Sequence, residues 1–172
     1  VGISPSLLSG RLRFLIDAGV VERVGARYQL TDRGIDLLDV VNEIGRWGLT
    51  LLDDRNDHDQ ESDFFPRAKI GFMIRPEALP DHGLVAEFHL DDRIHTVRVA
   101  PQSIDVRPSR RVSVSDGRAD GEPDVRIKGT LTDLTRYRQG RISVDELLDQ
   151  QALLIHGPPE VTETISRMFS AG

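Results

Sequence analysis

The stretch ISPSLLSGRLRFLIDAGVVERVGARYQL, residues 3–30, decides the fold that we predict for the start of this chain. Ser4 followed by Pro5 indicates a helix start, because a serine side chain caps free amide groups and a proline at the first helical position has no N–H that needs a partner. Gly19 is predicted to end this helix. Two β-prone segments follow at residues 20–24 and 28–30, and a short polar turn at residues 25–27 joins them. The stretch therefore predicts a helix followed by a hairpin.

The predicted helix has two different faces. Its apolar face has helical spacing and consists of Leu8, Leu12, Leu15 and Ile16. The opposite face carries Ser6, Ser9, Gly10, Arg13 and Asp17, with Arg11 at its flank. Small residues allow close approach to DNA, and arginines bind phosphates or guanine edges. We therefore predict a winged helix-turn-helix, in which base edges are contacted by Ser6, Ser9 and Arg13 and phosphates by Arg11 and Arg27.

The net charge of −6 is unusual for a DNA-binding protein, but the charge is unevenly spread. Residues 1–33 hold five arginines and three acids, a balance of +2, which leaves −8 for the remaining residues. Phosphate contacts are local, so a basic head on an acidic body is compatible with DNA binding. The alternative is that these arginines are only solvated surface residues.

A second amphipathic helix is predicted from Thr31 to about Leu52, with Thr31 or Asp32 as its cap. Apolar residues recur along it at three-residue spacing and are Ile35, Leu38, Val41, Ile44 and Trp47, widened by Leu37, Val40 and Leu51. This stripe is wider than a lone surface helix needs. It forms an interface with a second copy, or it packs only within its own chain.

Residues 2–23, GISPSLLSGRLRFLIDAGVVER, and 28–48, YQLTDRGIDLLDVVNEIGRWG, closely resemble the HxlR class of bacterial winged-helix regulators. The resemblance implies a homodimer that reads two DNA half-sites about one turn apart. It also implies that the second helix contributes to the dimer interface through Ile35, Leu38, Val41, Ile44 and Trp47. Two features depart from the family. The hairpin tip is short, and the chain begins at Val1, inside the expected helix-turn-helix turn, so we expect the preceding helices to be missing.

Residues 53–65, DDRNDHDQESDFF, are acidic and polar and are predicted to be a linker. The linker separates a winged-helix domain with its dimerisation helix, residues 1–52, from a second domain, residues 66–172. His58 lies in the linker among Asp57, Asp59 and Glu61, but side chains without a fixed geometry are poor metal ligands. We therefore predict neither a metal site nor a cofactor.

The second half of the chain alternates between apolar and polar residues and then returns to helical spacing. Strands are predicted at residues 84–90, 94–99, 102–107, 111–115, 124–129 and 153–155, with Ile104, Val106, Val112 and Val114 pointing inward. Helices are predicted at residues 67–75 and 158–169, with two more lined by Leu131, Leu134 and Tyr137 and by Val144, Leu147 and Leu148. Strands followed by helices predict an α+β fold, a mostly antiparallel sheet packed by helices.

This half resembles the sterol carrier protein type 2-like fold over roughly residues 66–170. The matching segments are residues 124–129, 138–143, 146–148 and 153–158, and a closing helix that ends in Phe169. The resemblance implies an apolar tunnel between sheet and helices that takes lipids or acyl chains. Candidate ligand-binding residues are Phe72, Phe88, Leu134, Leu154, Ile165 and Phe169. The alternative is that they fill a close-packed core.

Enzyme signals are weak, and we predict that the chain is not an enzyme. It has no cysteine, no Gly-x-Ser-x-Gly elbow, no phosphate loop and no paired-histidine helix motif. His89 and His95 lie on neighbouring predicted strands without a carboxylate that the sequence places beside them, so they are predicted to be structural. No apolar run reaches the roughly 18 residues of a membrane span, and a cysteine-free chain fits the cytoplasm.

The sequence favours a cytoplasmic bacterial transcriptional regulator that binds operator DNA as a homodimer. In this hypothesis the second domain senses a small apolar or acyl ligand. A first alternative is a lipid or acyl carrier in which the winged helix serves protein association. A second alternative treats the carrier-like domain as a rigid scaffold without a ligand.

Overall fold

The computed structural model describes residues 3–51, 64–104 and 106–171. Two compact units divide the chain, Val1–Ile44 and Gly45–Gly172. The first unit contains the predicted helix and hairpin and the start of a second helix. Its elements are α1 (Pro5–Asp17), β1 (Val21–Val24), β2 (Arg27–Leu30) and α2 (Asp32–Leu49), of which α2 continues into the second unit.

Local signals fix the ends of the first elements. Ser4 caps α1, as its Oγ accepts a hydrogen bond from the amide of Leu7 at 3.3 Å. The turn after α1 uses Gly19, with φ 67°, and the hairpin turn uses Gly25, with φ 61°. Both values lie in the left-handed region that glycine adopts without steric cost. The predicted helix and hairpin are therefore confirmed as elements.

The start of α2 lies directly on the segment that precedes β1. Thr31 donates its hydroxyl to the carbonyl of Gly19 at 2.6 Å and accepts the amide of Gly34 at 3.1 Å. Gly34 comes so close to Val20 that a Cβ atom placed on it would overlap the Val20 carbonyl oxygen. A polar cap and a close backbone contact thus hold this end of α2.

The apolar face of α1 is not covered by the described part of the chain. No residue of α1 is buried, and Leu8 and Ile16 are exposed, while Leu12 and Leu15 are half-buried. Phe14 is 68% exposed. The amphipathic pattern therefore predicts the helix correctly, but the packing that such a face is expected to have is not found among these residues.

A five-stranded mixed sheet forms the second unit, with strands β3 (Leu84–Leu90), β4 (Arg93–Val99), β5 (Val112–Asp116), β6 (Val125–Gly129) and β7 (Leu154–His156). The order is β5-β4-β3-β6-β7, in which β3 and β6 are parallel and the other neighbours antiparallel. Its helices are α3 (Phe64–Met73), α4 (Leu131–Arg138), α5 (Val144–Asp149) and α6 (Pro159–Phe169). The predicted α+β class is confirmed. No helix in the described residues is long and apolar enough to cross a membrane.

The two faces of this sheet differ in chemistry. Alternate residues of β3 are buried in the core, together with side chains from α3, α4 and α6, and include Leu84, Ala86, Phe88 and Leu90. The rings of Phe88 and Phe169 lie 5.2 Å apart at 49°. The intervening residues of β3, which are Val85, Glu87 and His89, lie on the opposite face, which we call the outer face.

The predicted strand at residues 102–107 is wrong. Its described residues form a loop, which is closed where the amide of Ala100 donates to the carbonyl of Arg111 at 2.7 Å. The loop leads into a short 3-10 helix at Pro108–Arg111. Ile104, predicted to point inward, is fully exposed. Proline flanks the segment on both sides, at residues 101 and 108, and lacks the N–H that a strand ladder needs.

The second unit also extends further toward the N-terminus than predicted. Helix α3 begins at Phe64, so Phe64 and Phe65 belong to a helix and not to a linker. Pro66 lies in the first turn of α3, where a missing N–H breaks no helical hydrogen bond. The rest of the predicted linker, including His58 and the acids around it, lies outside the described residues.

Candidate functional site

The predicted DNA-contact residues all lie on the surface of the first unit. Ser9 and Arg13 lie three and seven positions after Ser6 on α1, so the three residues share one face of the helix. All three are exposed, as are Arg11 and Arg27. The serine hydroxyls bond locally: Ser9 donates to the carbonyl of Pro5 at 2.8 Å, and Ser6 lies 3.2 Å from the Ser4 hydroxyl.

The hairpin beside α1 is braced by its own polar side chains. Arg23 donates from Nε to the carbonyl of Gly25 at 3.0 Å, across the turn. Gln29 donates to Glu22 on the neighbouring strand at 2.6 Å. Arg27, the first residue of β2, follows this turn directly and is exposed. A braced turn therefore presents one exposed arginine.

The predicted dimerisation residues on α2 are mostly exposed. Trp47 is 64% and Ile44 60% exposed, and Leu38 and Val41 are exposed as well. Ile35 is half-buried. Within the described chain these apolar side chains are thus largely open to solvent.

The six predicted ligand residues do not share one face of the sheet. Five contribute to the core or pack against it: Phe88, Leu134, Ile165 and Phe169 are buried, and Phe72 is half-buried. Leu154 lies on the outer face instead, because it pairs with Lys128, which in turn pairs with His89. A single cavity lined by all six is therefore excluded by the strand register.

A buried histidine lies on the helix-covered face of the sheet, opposite Phe88 in the strand pairing. The side chain of His95 is 2% exposed, and its Nδ1 lies 3.1 Å from Oδ1 of Asp116 on β5. Arg67 contacts the other oxygen of Asp116 at 3.5 Å. His95 thus has the carboxylate partner that the sequence could not place, 21 residues further along the chain.

His95 is one of the residues that line a cavity of about 230 Å³ at the β3–β4 turn. The other residues around this cavity are Pro66, Leu90, Asp91, Asp92, Arg93 and Leu131. We call it the turn cavity. Among the predicted ligand residues none lines it, so it was missed by the sequence interpretation.

A second carboxylate–histidine pair lies on the outer face. Nε2 of His89 is 2.6 Å from Oε1 of Glu87, whose side chain is only 3% exposed. The amide of Ala119 donates to Oε2 of Glu87 at 3.1 Å, and Nε of Arg126 lies 3.6 Å from Oε1. The hydrogen bond from His89 lowers the pKa of Glu87, the amide of Ala119 lowers it further, and burial opposes them. Glu87 is therefore an anion held by donors.

This outer pair borders a wide depression of about 490 Å³. One row across four strands, Ile94, His89, Lys128 and Leu154, lies along it. The rim comes from the β3–β4 turn, the start of α4 and the segment before β7, and includes Asp91, Asp133 and Gln151. Sequence alternation in β3 placed Glu87 and His89 on one face, which was the only local signal for this pair.

Replacing Glu87 by glutamine is expected to lower the free energy of unfolding at pH 7 by about 1–3 kcal/mol, because its donors lose a charged acceptor. A carboxyl whose folded pKa is lowered stabilises the fold above its unfolded pKa, and this stabilisation is lost as the pH falls through the folded pKa. The free energies of unfolding of the two proteins should therefore differ less at pH 3 than at pH 7. They are measured by urea unfolding, with hydrogen exchange of the β3 amides as the signal.

The matched control is Glu163→Gln, which removes an exposed carboxylate on α6. It should unfold like the unsubstituted chain at both pH values. If Glu87→Gln lowers the free energy of unfolding by the same amount at pH 7 and at pH 3, the charge of Glu87 contributes nothing to stability.

No protein-family model matches the chain, and no curated protein matches it. Among solved structures, the stereoselective inverting sec-alkylsulfatase Pisa1 from Pseudomonas sp. aligns with a TM-score of 0.50 and 11% identity, over 70% of this chain. The chain spans only 18% of that sulfatase. This likeness concerns the fold alone.

Sterol carrier proteins are also among the structural neighbours. Sterol Carrier Protein 2 Like 2 from Aedes aegypti aligns at TM-score 0.38 and 12% identity, over 75% of this chain and 93% of that one. UbiJ-SCP2, a ubiquinone synthesis protein, aligns at TM-score 0.40 and 13% identity, over 81% and 93%. The resemblance to HxlR regulators, in contrast, rests on the sequence pattern.

Proposed function

We propose that the chain is a DNA-binding regulator and that its first unit is part of a winged helix-turn-helix. The observation that carries the proposal is the exposed face of α1, with Ser6, Ser9 and Arg13 in one row beside a hairpin that presents Arg27. Such a row combines small polar side chains with a guanidinium, the groups that read base edges. The proposal includes no catalytic role.

The dimensions of α1 suit a major groove. Seven residues separate Ser6 from Arg13, which at about 1.5 Å per residue is roughly 10 Å, or about three base pairs along DNA. In this proposal the row contacts bases, while Arg11 and Arg27 contact phosphates on either side. The proposal therefore includes a cytoplasmic location.

The proposal extends to a homodimer and a ligand. The exposed apolar residues Leu38, Val41, Ile44 and Trp47 of α2 would be covered by a second copy, which gives two reading heads. The second unit would bind a small apolar or acyl ligand. Such a ligand changes DNA binding only if it has unequal affinity for the two arrangements of the heads.

Selection from random double-stranded DNA with this chain tests the proposal. We expect enrichment of an inverted repeat and an affinity that falls steeply as the salt concentration rises. Binding that is weak and has no sequence preference would contradict it.

Arg13→Ala is expected to weaken binding to the selected site by about 1–3 kcal/mol and to relax the preference at one base position. The matched control is Arg11→Ala, which should weaken binding on all sequences equally and lower the salt slope by about one. Fluorescence anisotropy on the selected and a scrambled duplex distinguishes the two. An equal loss on both duplexes for Arg13→Ala would remove its role as a base reader.

A second candidate function is a lipid or acyl carrier whose first unit serves protein association. The observation that favours it is the apolar surface of the helices, with Phe14 and Trp47 each about two-thirds exposed. A carrier would bind an acyl chain and show no DNA sequence preference in the same selection.

A further inference from the structure

One buried polar group, the imidazole of His95, belongs to a residue that lines the turn cavity, and it lies beside a carboxylate. The carboxylate of Asp116 accepts hydrogen bonds and cannot donate, so the proton of a neutral His95 ring lies on Nδ1, at the 3.1 Å contact. Nε2 then carries a lone pair. In this tautomer Nε2 is the acceptor of the ring, and His95 is one of the residues that line the cavity.

Apolar and charged residues line the turn cavity together. Pro66 at the start of α3, Leu90 at the end of β3 and Leu131 at the start of α4 form apolar wall. The rim carries the consecutive residues Asp91, Asp92 and Arg93, a net charge of −1. An anionic ligand would therefore meet a lone pair inside and net negative charge at the entrance.

The volume limits the size of a ligand. At about 30 Å³ for each water in the liquid, 230 Å³ corresponds to about eight waters, or a molecule of a similar number of non-hydrogen atoms. Small-molecule sites combine apolar side chains with a few convergent polar groups.

We propose that the turn cavity binds a short aliphatic alcohol, or the hydroxyl end of a longer one, with the hydroxyl donating to Nε2 of His95. The alkyl chain lies against Leu90 and Leu131. This inference rests on the proposed ligand binding by the second unit, and it is independent of DNA binding. It assigns the ligand a neutral head group and gives His95 a binding role.

Titration of the whole chain with 1-hexanol, followed by amide chemical shifts, tests the site. We expect saturable shifts confined to the β3–β4 turn and the starts of α3 and α4. His95→Phe, which removes the acceptor but keeps a ring, should weaken binding at least tenfold. His89→Gln, on the outer face, is the matched control and should leave the affinity unchanged.

A second variant keeps the test decisive if His95→Phe does not fold. Leu131→Phe enlarges a wall residue without touching the His95–Asp116 pair and should also weaken binding at least tenfold. A folded Leu131→Phe or His95→Phe protein that binds hexanol normally would overturn the proposal, as would the absence of saturable shifts in the unsubstituted chain.

Hexanoate and hexylamine distinguish the alcohol site from the broader proposal that the second unit binds an apolar or acyl ligand. Hexanoate is expected to bind at least tenfold more weakly than hexanol. Hexylamine has an ammonium group that can donate to Nε2 and is attracted by Asp91 and Asp92, so its binding more tightly than hexanol would overturn the neutral head group. Tighter binding of hexanoate, or of a longer acyl chain that shifts amides elsewhere in the second unit, would overturn the alcohol site while supporting a ligand-binding function. No binding of any probe would contradict both.

Discussion

Replacing Phe169 by alanine is expected to destabilise the second unit by about 3–5 kcal/mol. Phe169 is 1% exposed at the end of α6, and its ring contacts that of Phe88 at a centroid distance of 5.2 Å. Removing the ring loses its transfer free energy and leaves a void that neighbours in the core, such as Ile165 and Met168, fill only in part.

The measurement is urea unfolding, monitored by hydrogen exchange of the β3 amides so that the signal comes from the second unit. Phe14→Ala is the control, because it makes the same chemical change at a side chain that is 68% exposed. It should leave the exchange of β3 unchanged. A loss below about 1 kcal/mol for Phe169→Ala would mean that the ring borders open space, as the tunnel interpretation requires, and does not fill a core.

Much of the fold is predictable because its signals are local. Ser4 with Pro5 and the glycine at position 19 mark the two ends of α1 within a few residues of the chain. The alternation of apolar and polar residues from Leu84 to Leu90 predicts β3 with its observed ends. Each of these signals depends on side chains that act on their own backbone, so tertiary context does not change them.

The candidate sites depend on pairs that are distant in sequence. His95 contacts Asp116 on the adjacent strand, and Glu87 accepts a hydrogen bond from the amide of Ala119, 32 residues later. Only the strand register and the path of a loop decide such contacts. The same limit explains the error at Ile104 and the place of Leu154 on the outer face. Residue type indicates a strand or an apolar position, while the face and the pairing come from the rest of the sheet.

Gly34→Ala is expected to destabilise the first unit by about 3 kcal/mol, the upper end of the usual cost of overpacking. The added methyl group would overlap the carbonyl oxygen of Val20, which also accepts the amide of Thr31 at 3.1 Å. A backbone oxygen cannot rotate away as a side chain does. The first turn of α2 must therefore shift, and the position of α1 relative to the hairpin shifts with it.

Gly10→Ala is the matched control, since it places the same methyl group on a helical glycine with no atom within 4 Å. It should stabilise α1 by about 0.5–1 kcal/mol, because alanine loses less backbone entropy than glycine in a helix. We expect Gly34→Ala to lower the exchange protection of the Thr31 amide and to weaken DNA binding, with β3 protection unchanged. Native protection of Thr31 in Gly34→Ala would show that α2 starts further from Val20. If Gly34→Ala loses the protection of the Thr31 amide but binds DNA as before, the arrangement of α1 and the hairpin is not what DNA recognises.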